Sequence, residues 1–352
     1  MPRNNFSQRL LAWYDAHGRK TLPWKKRRDA YPIWISEIML QQTQVATVIP
    51  YFERFMERFP DIGALARARI DSVLHHWSGL GYYARARNLH AAAKIIVREH
   101  GGKFPRDIET VKELPGIGPS TAGAILALAF DQHHAILDGN VKRVLSRHHA
   151  IIDPVNRRDV EAALWKLAAR HTPAERVADY TQAIMDLGAT VCRRAKPDCA
   201  NCPVRRSCEA YRLGRPEDFP VKTGRAPLPV KQVNWLLVQN ADGGILLQRR
   251  PPVGLWGGLW GFPETNETDV SDWCRAQLGL TIEPQTAWTP LRHTFSHFHL
   301  DITPIPARLV RADAAMEKPE TVWYNVRSSK ARGVSAPVKQ LLTQLEQRLR
   351  GF

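Results

Sequence analysis

Four of the five cysteines, Cys192, Cys199, Cys202 and Cys208, fall within 17 residues, separated by six, two and five others, while Cys274 stands alone. Thiols this crowded either cross-link or ligate a common centre. A disulfide framework spreads its cysteines along a small secreted chain, so concentration in one segment predicts a metal site in a reducing, cytoplasmic compartment. A zinc ribbon brings two short cysteine pairs across a longer spacer, and here only Cys199 and Cys202 make such a pair. A site with four thiolate ligands keeps no open position for a substrate. Its expected work is to pin a basic loop, in which Arg193, Arg194, Lys196, Arg205 and Arg206 are available to phosphates.

Charge agrees with that expectation. Fifty Lys and Arg against 34 Asp and Glu give the 352-residue chain a net charge of +16, which favours a polyanion and, among polyanions, nucleic acid. No apolar run reaches the roughly 18 residues of a membrane-spanning helix, so no membrane partner is expected. The first 20 residues, with Phe6, Leu10, Leu11 and Trp13 among charges, read as an ordinary amphipathic helix and not as a targeting segment.

Length predicts two domains. Up to residue 212 the pattern is helical: Ile35, Ile38, Met39, Gln42 and Val45 share one face, and Ala122 to Phe130 is an apolar helix-forming run. Residues 213–230 hold four prolines and two glycines without helical period and are expected to be a linker. Residues 231–352 change texture. Trp235–Val238 and Ile245–Leu247 flank a glycine-containing turn, as in a hairpin, and residues 336–350 read as a closing amphipathic helix.

Leu114-Pro115-Gly116-Ile117-Gly118-Pro119-Ser120 precedes a strong helix, an arrangement in which backbone N–H groups can approach an anion. Alone it is equally a plain joint between helices. Ala135-Ile136-Leu137-Asp138-Gly139-Asn140-Val141-Lys142-Arg143-Val144 follows, and a Leu-Pro-Gly-x-Gly hairpin, then an aspartate, then a four-cysteine loop resembles the helix-hairpin-helix glycosylases of the endonuclease III and adenine glycosylase superfamily. The resemblance implies a [4Fe-4S] cluster on Cys192, Cys199, Cys202 and Cys208, within the loop 192–208. It implies that Gly116, Gly118 and Ser120 meet DNA, that Asp138 is catalytic, and that Asn140 orients water or the aspartate. Asp138 is also suited to capping the helix beginning near Asn140. Where bifunctional lyases of the superfamily carry a Schiff-base lysine, this chain has Ser120, which implies base removal without strand cleavage.

Trp34-Ile35-Ser36-Glu37-Ile38-Met39-Leu40-Gln41-Gln42-Thr43-Gln44 closely resembles the adenine glycosylase branch. Apolar neighbours of Glu37 are expected to raise its pKa, and the resemblance makes it the acid that protonates the base, with ionised Asp138 stabilising the sugar cation or attacking it transiently. Gln41, Gln42 and Tyr82 match positions that probe or wedge the duplex, with Tyr82 or Tyr83 alternatively in the core. One of Arg85 and Arg87 is expected to meet phosphate.

Gly254-Leu255-Trp256-Gly257-Gly258-Leu259-Trp260-Gly261-Phe262-Pro263-Glu264 resembles the Nudix fold, but the helix at 271–280 lacks the paired glutamates that bind magnesium. Recognition without hydrolysis is implied, with Phe295, Ser296 and His297 reading 8-oxoguanine. The alternation Thr294, Ser296, Phe298, Leu300 also suits a half-buried strand, on whose surface His293, His297 and His299 are expected rather than on a metal. The expected fold is therefore multidomain: an all-α helix-hairpin-helix glycosylase domain over 1–212 with its [4Fe-4S] loop, a linker over 213–230, and an α+β Nudix-like domain over 231–352. The expected partner is double-stranded DNA containing A:8-oxoguanine or A:G mispairs, bound by a monomer.

Overall fold

Asp29, Asp107 and Asp138 each start a helix by accepting a first-turn backbone N–H, from Tyr31, Thr110 and Val141 respectively. A carboxylate there satisfies a donor that has no partner inside the helix and is worth about 1 kcal/mol. In the computed structural model, which describes residues 5–26, 28–221, 224, 227–312, 320–325 and 332–350, these helices belong to a first compact unit, Met1–Arg67 with Asn88–Gly224. Helix Ala30–Leu40 packs on helix Pro119–Phe130, and helix Val177–Asp186 packs on both Pro119–Phe130 and Asn5–His17. Gly123 lets the segment that leads to Asp138 lie against helix Pro119–Phe130, because a Cβ there would lie 2.7 Å from the Ala135 carbonyl. The core runs through Phe6, Leu10, Leu137, Val141, Leu164 and Leu187, all buried.

Helix Ala30–Leu40 stops short of the continuous face anticipated through Gln42 and Val45. Gln41 leaves helical geometry (ψ 111), Gln42 takes a left-handed φ of 57°, and a new helix runs Val45–Arg58. Gln42 and Val45 are periodic with Ile35 by spacing alone. A non-glycine residue at positive φ is held there by its surroundings.

The second unit comprises Ala68–Arg87 and Arg225–Phe352. Its sheet has β1 (Val230–Gln239), β2 (Ile245–Arg249), β3 (Trp260–Gly261), β4 (Glu264–Thr265), β5 (Leu280–Pro284), β6 (Leu291–Thr294), β7 (His299–Ala312) and β8 (Thr321–Tyr324). The order is β3-β2-β1-β7-β5, with β4 on β1, β6 on β7 and β8 on β2. β1 and β7 run parallel from Val230 opposite His299 to Gln239 opposite Arg308, and the other pairs are antiparallel. Helix Val270–Leu278 covers one face through Cys274 and Leu278, and helix Ala336–Arg350 closes the chain as its periodicity predicts. The fold is the expected all-α unit and α+β unit. Residues 68–87, expected within the first domain, instead pack with the second unit: a Cβ on Gly333 would lie 2.7 Å from that of Leu74, and the Tyr83 hydroxyl donates to the Val334 carbonyl at 3.2 Å. The early part of the expected linker is anchored, since Phe219 is buried and its carbonyl accepts from Arg147 at 3.0 Å. No helix among the described residues is long and apolar enough to cross a membrane.

Candidate active site

Glu37, Gln41, Gln42, Ser120, Asp138 and Asn140, drawn from three separate chain segments, line one cavity of about 1070 Å³ in the first unit. Glu37 comes from the last turns of helix Ala30–Leu40, Ser120 from the start of Pro119–Phe130, and Asp138 and Asn140 from the N-terminus of Gly139–His148. Asp138 serves as cap and cavity wall at once. Its carboxylate accepts from Val141 N at 2.7 Å and from Asn140 Nδ2 at 3.2 Å, which leaves lone pairs toward the cavity. The Ser120 hydroxyl accepts from Leu137 N at 3.0 Å and so ties the hairpin helix to the segment carrying Asp138. Gln41 Nε2 donates to Thr121 Oγ1 at 3.3 Å.

The two carboxyls respond differently to burial. Burial, reinforced by the nearby Asp138 charge, pushes Glu37 up to about 8. Burial also raises Asp138, but there the N–H donors of Val141 and Asn140 and the positive charge of Arg143 act in the opposite direction. A proton entering the pair therefore resides on Glu37 near neutral pH, while Asp138 is the better carboxylate. Arg143 donates to Asn140 Oδ1 at 2.8 Å and to the Cys192 carbonyl at 2.8 Å, and so joins this wall to the cysteine loop.

The glycines of the hairpin differ in need. Gly116 has φ 81°, and a Cβ there would lie 2.9 Å from that of Asn88, whereas Gly118 has ordinary φ and open space at its Cβ position. In the second unit Tyr82 is half exposed at φ 48°, while Tyr83 is core. The arginines beside them correct the expectation of a phosphate contact. Arg85 is buried, donates to the Leu80 and Gly81 carbonyls and lies over the rings of Trp77 and Tyr82; Arg87 donates to the Gly257 carbonyl. Both guanidiniums are turned inward because short glycine loops leave carbonyls to be satisfied.

Phe295, Ser296 and His297 form the tip of the β6–β7 hairpin, closed by Phe295 N donating to the Phe298 carbonyl at 2.9 Å, so Thr294 to Leu300 is not one continuous strand. Phe295 stacks on Phe298 with centroids 4.6 Å apart and meets Trp256, leaving Ser296 and His297 exposed. His299 Nδ1 engages Thr294 Oγ1, and His293 packs on Trp256.

Cys192, Cys199, Cys202 and Cys208 line a common small cavity and none is in a disulfide. Burial pushes the Cys202 thiol up to about 12, with the other three sulfurs adding to it. Arg147 Nη1 donates to Cys192 Sγ at 3.3 Å and holds the loop through the carbonyls of Arg193 and Arg194. Four converging sulfurs with an adjacent guanidinium fit a bound metal centre of net negative charge.

Residues 35–170 match the family model of the HhH-GPD superfamily base excision DNA repair proteins, and residues 234–344 match that of the NUDIX domain. The chain is 38% identical over 342 residues to an adenine DNA glycosylase of Buchnera aphidicola subsp. Baizongia pistaciae, covering 97% of each. It is 35% identical to the adenine DNA glycosylase of Mus musculus, covering 98% of this chain and 79% of that one. The chain belongs to the adenine DNA glycosylase family. A solved structure of a thermostable thymine-DNA glycosylase is similar at TM-score 0.54 and 27% identity, over 59% of this chain and 95% of that one. As an adenine DNA glycosylase family member, the chain is a hydrolase of N-glycosyl bonds, as expected from its motifs.

Several residues on the cavity wall of this family member have no sequence signal pointing to them. Arg19 is anchored by the fully buried Asp186, which accepts from Arg19 N at 2.8 Å and from Gln182 Nε2 at 2.8 Å. Gly188 admits Asn140, since a Cβ there would lie 2.6 Å from the Asn140 Cβ. Only the Asn140–Arg143 pair, one helical turn apart, carries a signal in its spacing.

Proposed function

We propose that this chain excises adenine from A:8-oxoguanine and A:G mispairs in double-stranded DNA, as a monomeric, monofunctional glycosylase of base excision repair. One observation carries the proposal: Glu37 and Asp138 share a cavity large enough for an extruded nucleotide, and the donors that Asp138 receives leave the shared proton on Glu37. Extrusion costs a few kcal/mol of unstacking and is followed by three chemical events. Glu37 gives its proton to N7 of adenine, so that the N9–C1′ bond breaks with the electron pair leaving on a neutral base. The sugar becomes an oxocarbenium-like cation, stabilised by the Asp138 carboxylate. Water then adds to C1′ and returns a proton to Glu37, which restores the enzyme. Asn140 fixes Asp138, and Ser120, a hydroxyl with its oxygen engaged by Leu137 N, offers no amine for a Schiff base.

Gln41, Gln42 and Tyr82 probe the duplex, Gly116 and Gly118 take its backbone, and the Phe295–Ser296–His297 tip reads the base opposite adenine. The four cysteines hold a [4Fe-4S] cluster, which when bound supplies a rigid, charge-compensated anchor for the basic loop.

The test is cleavage of a labelled duplex with one A opposite 8-oxoguanine, compared with A opposite G and A opposite T, with and without alkali. Strand breaks that need alkali, that fall on A opposite 8-oxoguanine or G, and that vanish in Glu37→Gln and Asp138→Asn are expected. Breaks without alkali, or equal excision opposite T, would defeat the proposal.

A further inference from the structure

Away from the cavity, three imidazoles converge in the first unit. His148 ends helix Gly139–His148, His149 is its C-cap, and His171 ends helix Arg158–His171. His149 Nε2 lies 3.3 Å from His148 Nδ1 and 2.9 Å from His171 Nε2, and the three ligand atoms all lie within 4.8 Å of one another. Nitrogens held about 2.0–2.1 Å from a tetrahedral zinc ion stand about 3.3 Å apart, so the 3.3 and 2.9 Å pairs already approach two edges of such a site, and ligation needs only the third pair, within 4.8 Å, to draw in.

The hydrogen bonding around the trio explains why these nitrogens point inward. The Ser207 hydroxyl donates to the Val204 carbonyl at 3.2 Å, so its oxygen accepts from His148 Nε2–H at 3.0 Å. That bond leaves the His148 Nδ1 lone pair facing His149, the arrangement in which a ligating histidine is fixed through its other nitrogen. A single proton on His149 Nε2 then has two neighbours to serve. Ligation through that atom requires the proton to move to His149 Nδ1, which frees its Nε2 lone pair beside His148 Nδ1 and His171 Nε2. Phe6 closes one side, its ring 4.8 Å from that of His148 and 4.3 Å from that of His171. Burial keeps His148 and His171 neutral, pushed down to about 3 and about 4, and the neutral ring is the form that binds a metal. Beyond the trio, the Arg170 charge reaches both His149 and His171, and Glu209 reaches His149 with the opposite sign.

We propose that His148, His149 and His171 form a three-imidazole site for a divalent transition metal of the zinc class, with the fourth position left to water. Such an ion clips the C-terminal ends of two helices together and, through Ser207, steadies the cysteine loop next to Cys208. Its ligand set is nitrogen only, which separates it from the four-sulfur centre.

The experiment uses the full chain as purified with its iron. Zinc alone is added, excess is removed by dialysis, and zinc and iron are counted per chain while zinc-edge X-ray absorption reports the ligand atoms. A single retained zinc with nitrogen and oxygen scattering is expected in wild type. Affinity should fall at least about 10-fold in His149→Gln and in His171→Asn, with iron unchanged, and about 10-fold in Ser207→Ala. Zinc retained through sulfur, no retained zinc in wild type, or equal retention in both histidine variants would overturn the assignment. The scattering of wild type decides the matter even where a variant fails to fold.

Discussion

Glu37 and Asp138 are carboxyls in one cavity, and what distinguishes them is the number of donors each receives. Asp138 takes N–H groups from Val141 and Asn140, whereas burial dominates Glu37. The native state therefore keeps a proton on Glu37 that the unfolded chain has lost between the ordinary 4.5 and about 8. Because this pKa is raised on folding, the associated stability is complete below about 4.5 and is lost as pH rises through about 8. Glu37→Gln should remove that dependence. Melting at pH 5 and pH 8.5 is expected to show wild type losing on the order of 4 kcal/mol relative to the variant, and parallel curves would mean that Glu37 titrates normally. Single-turnover excision should fall on the alkaline side of pH 8 in wild type as the acid is lost, and by roughly 10²- to 10⁴-fold at all pH values in Glu37→Gln.

At the scale of elements, the cavity exists because helix ends meet where a side chain has been deleted. Gly188 sits in the π-helical turn Leu187–Val191, and adding a Cβ would place it 3.2 Å from the Asn140 Cα as well as 2.6 Å from its Cβ, so the start of helix Gly139–His148 must shift. Gly188→Ala is therefore expected to slow excision about 100-fold through misplacement of Asn140 and Asp138. Duplex binding should change little, and a loss confined to binding would place the effect elsewhere. Gly116→Ala should behave differently. Its φ of 81° and the 2.9 Å approach to Asn88 oppose any side chain, and a thermal melt should show a loss of about 1–2 kcal/mol.

For the whole molecule, a charge of +16 sets the response to salt. If six or more phosphates are neutralised, duplex affinity measured at 50 and 200 mM salt should fall by at least about 10³-fold, and a flat response would remove DNA from the account. The cysteine loop is the other molecular-scale device, fastened by Arg147 to Cys192, Arg193, Arg194 and Phe219. Cys202→Ser should lower bound iron and weaken duplex binding together, which metal counting and a binding titration will show.

Glu37, Asp138, Asn140 and the four cysteines could be singled out in the sequence because each sits in a contiguous motif that resembles a known family, and the structure brings the first three to one cavity and the cysteines to another. The two units and the hairpin turn Asn240–Gly244 were legible from local residue pattern. Tertiary structure alone decided what the chain brings together from afar. Arg19 and Gln182 meet over Asp186, Gly188 makes room for Asn140, residues 68–87 join the second unit, and His171 arrives beside His148 and His149. Periodicity misled at Gln42 and Val45 because it records spacing and not the left-handed break at Gln42, and it misled at Thr294–Leu300 because alternation is the same in a strand and in the arms of a tight hairpin. Local sequence encodes local backbone preference and ligand type. Contacts between segments are fixed only by packing, in which a missing Cβ or a buried charge 167 residues away determines the outcome.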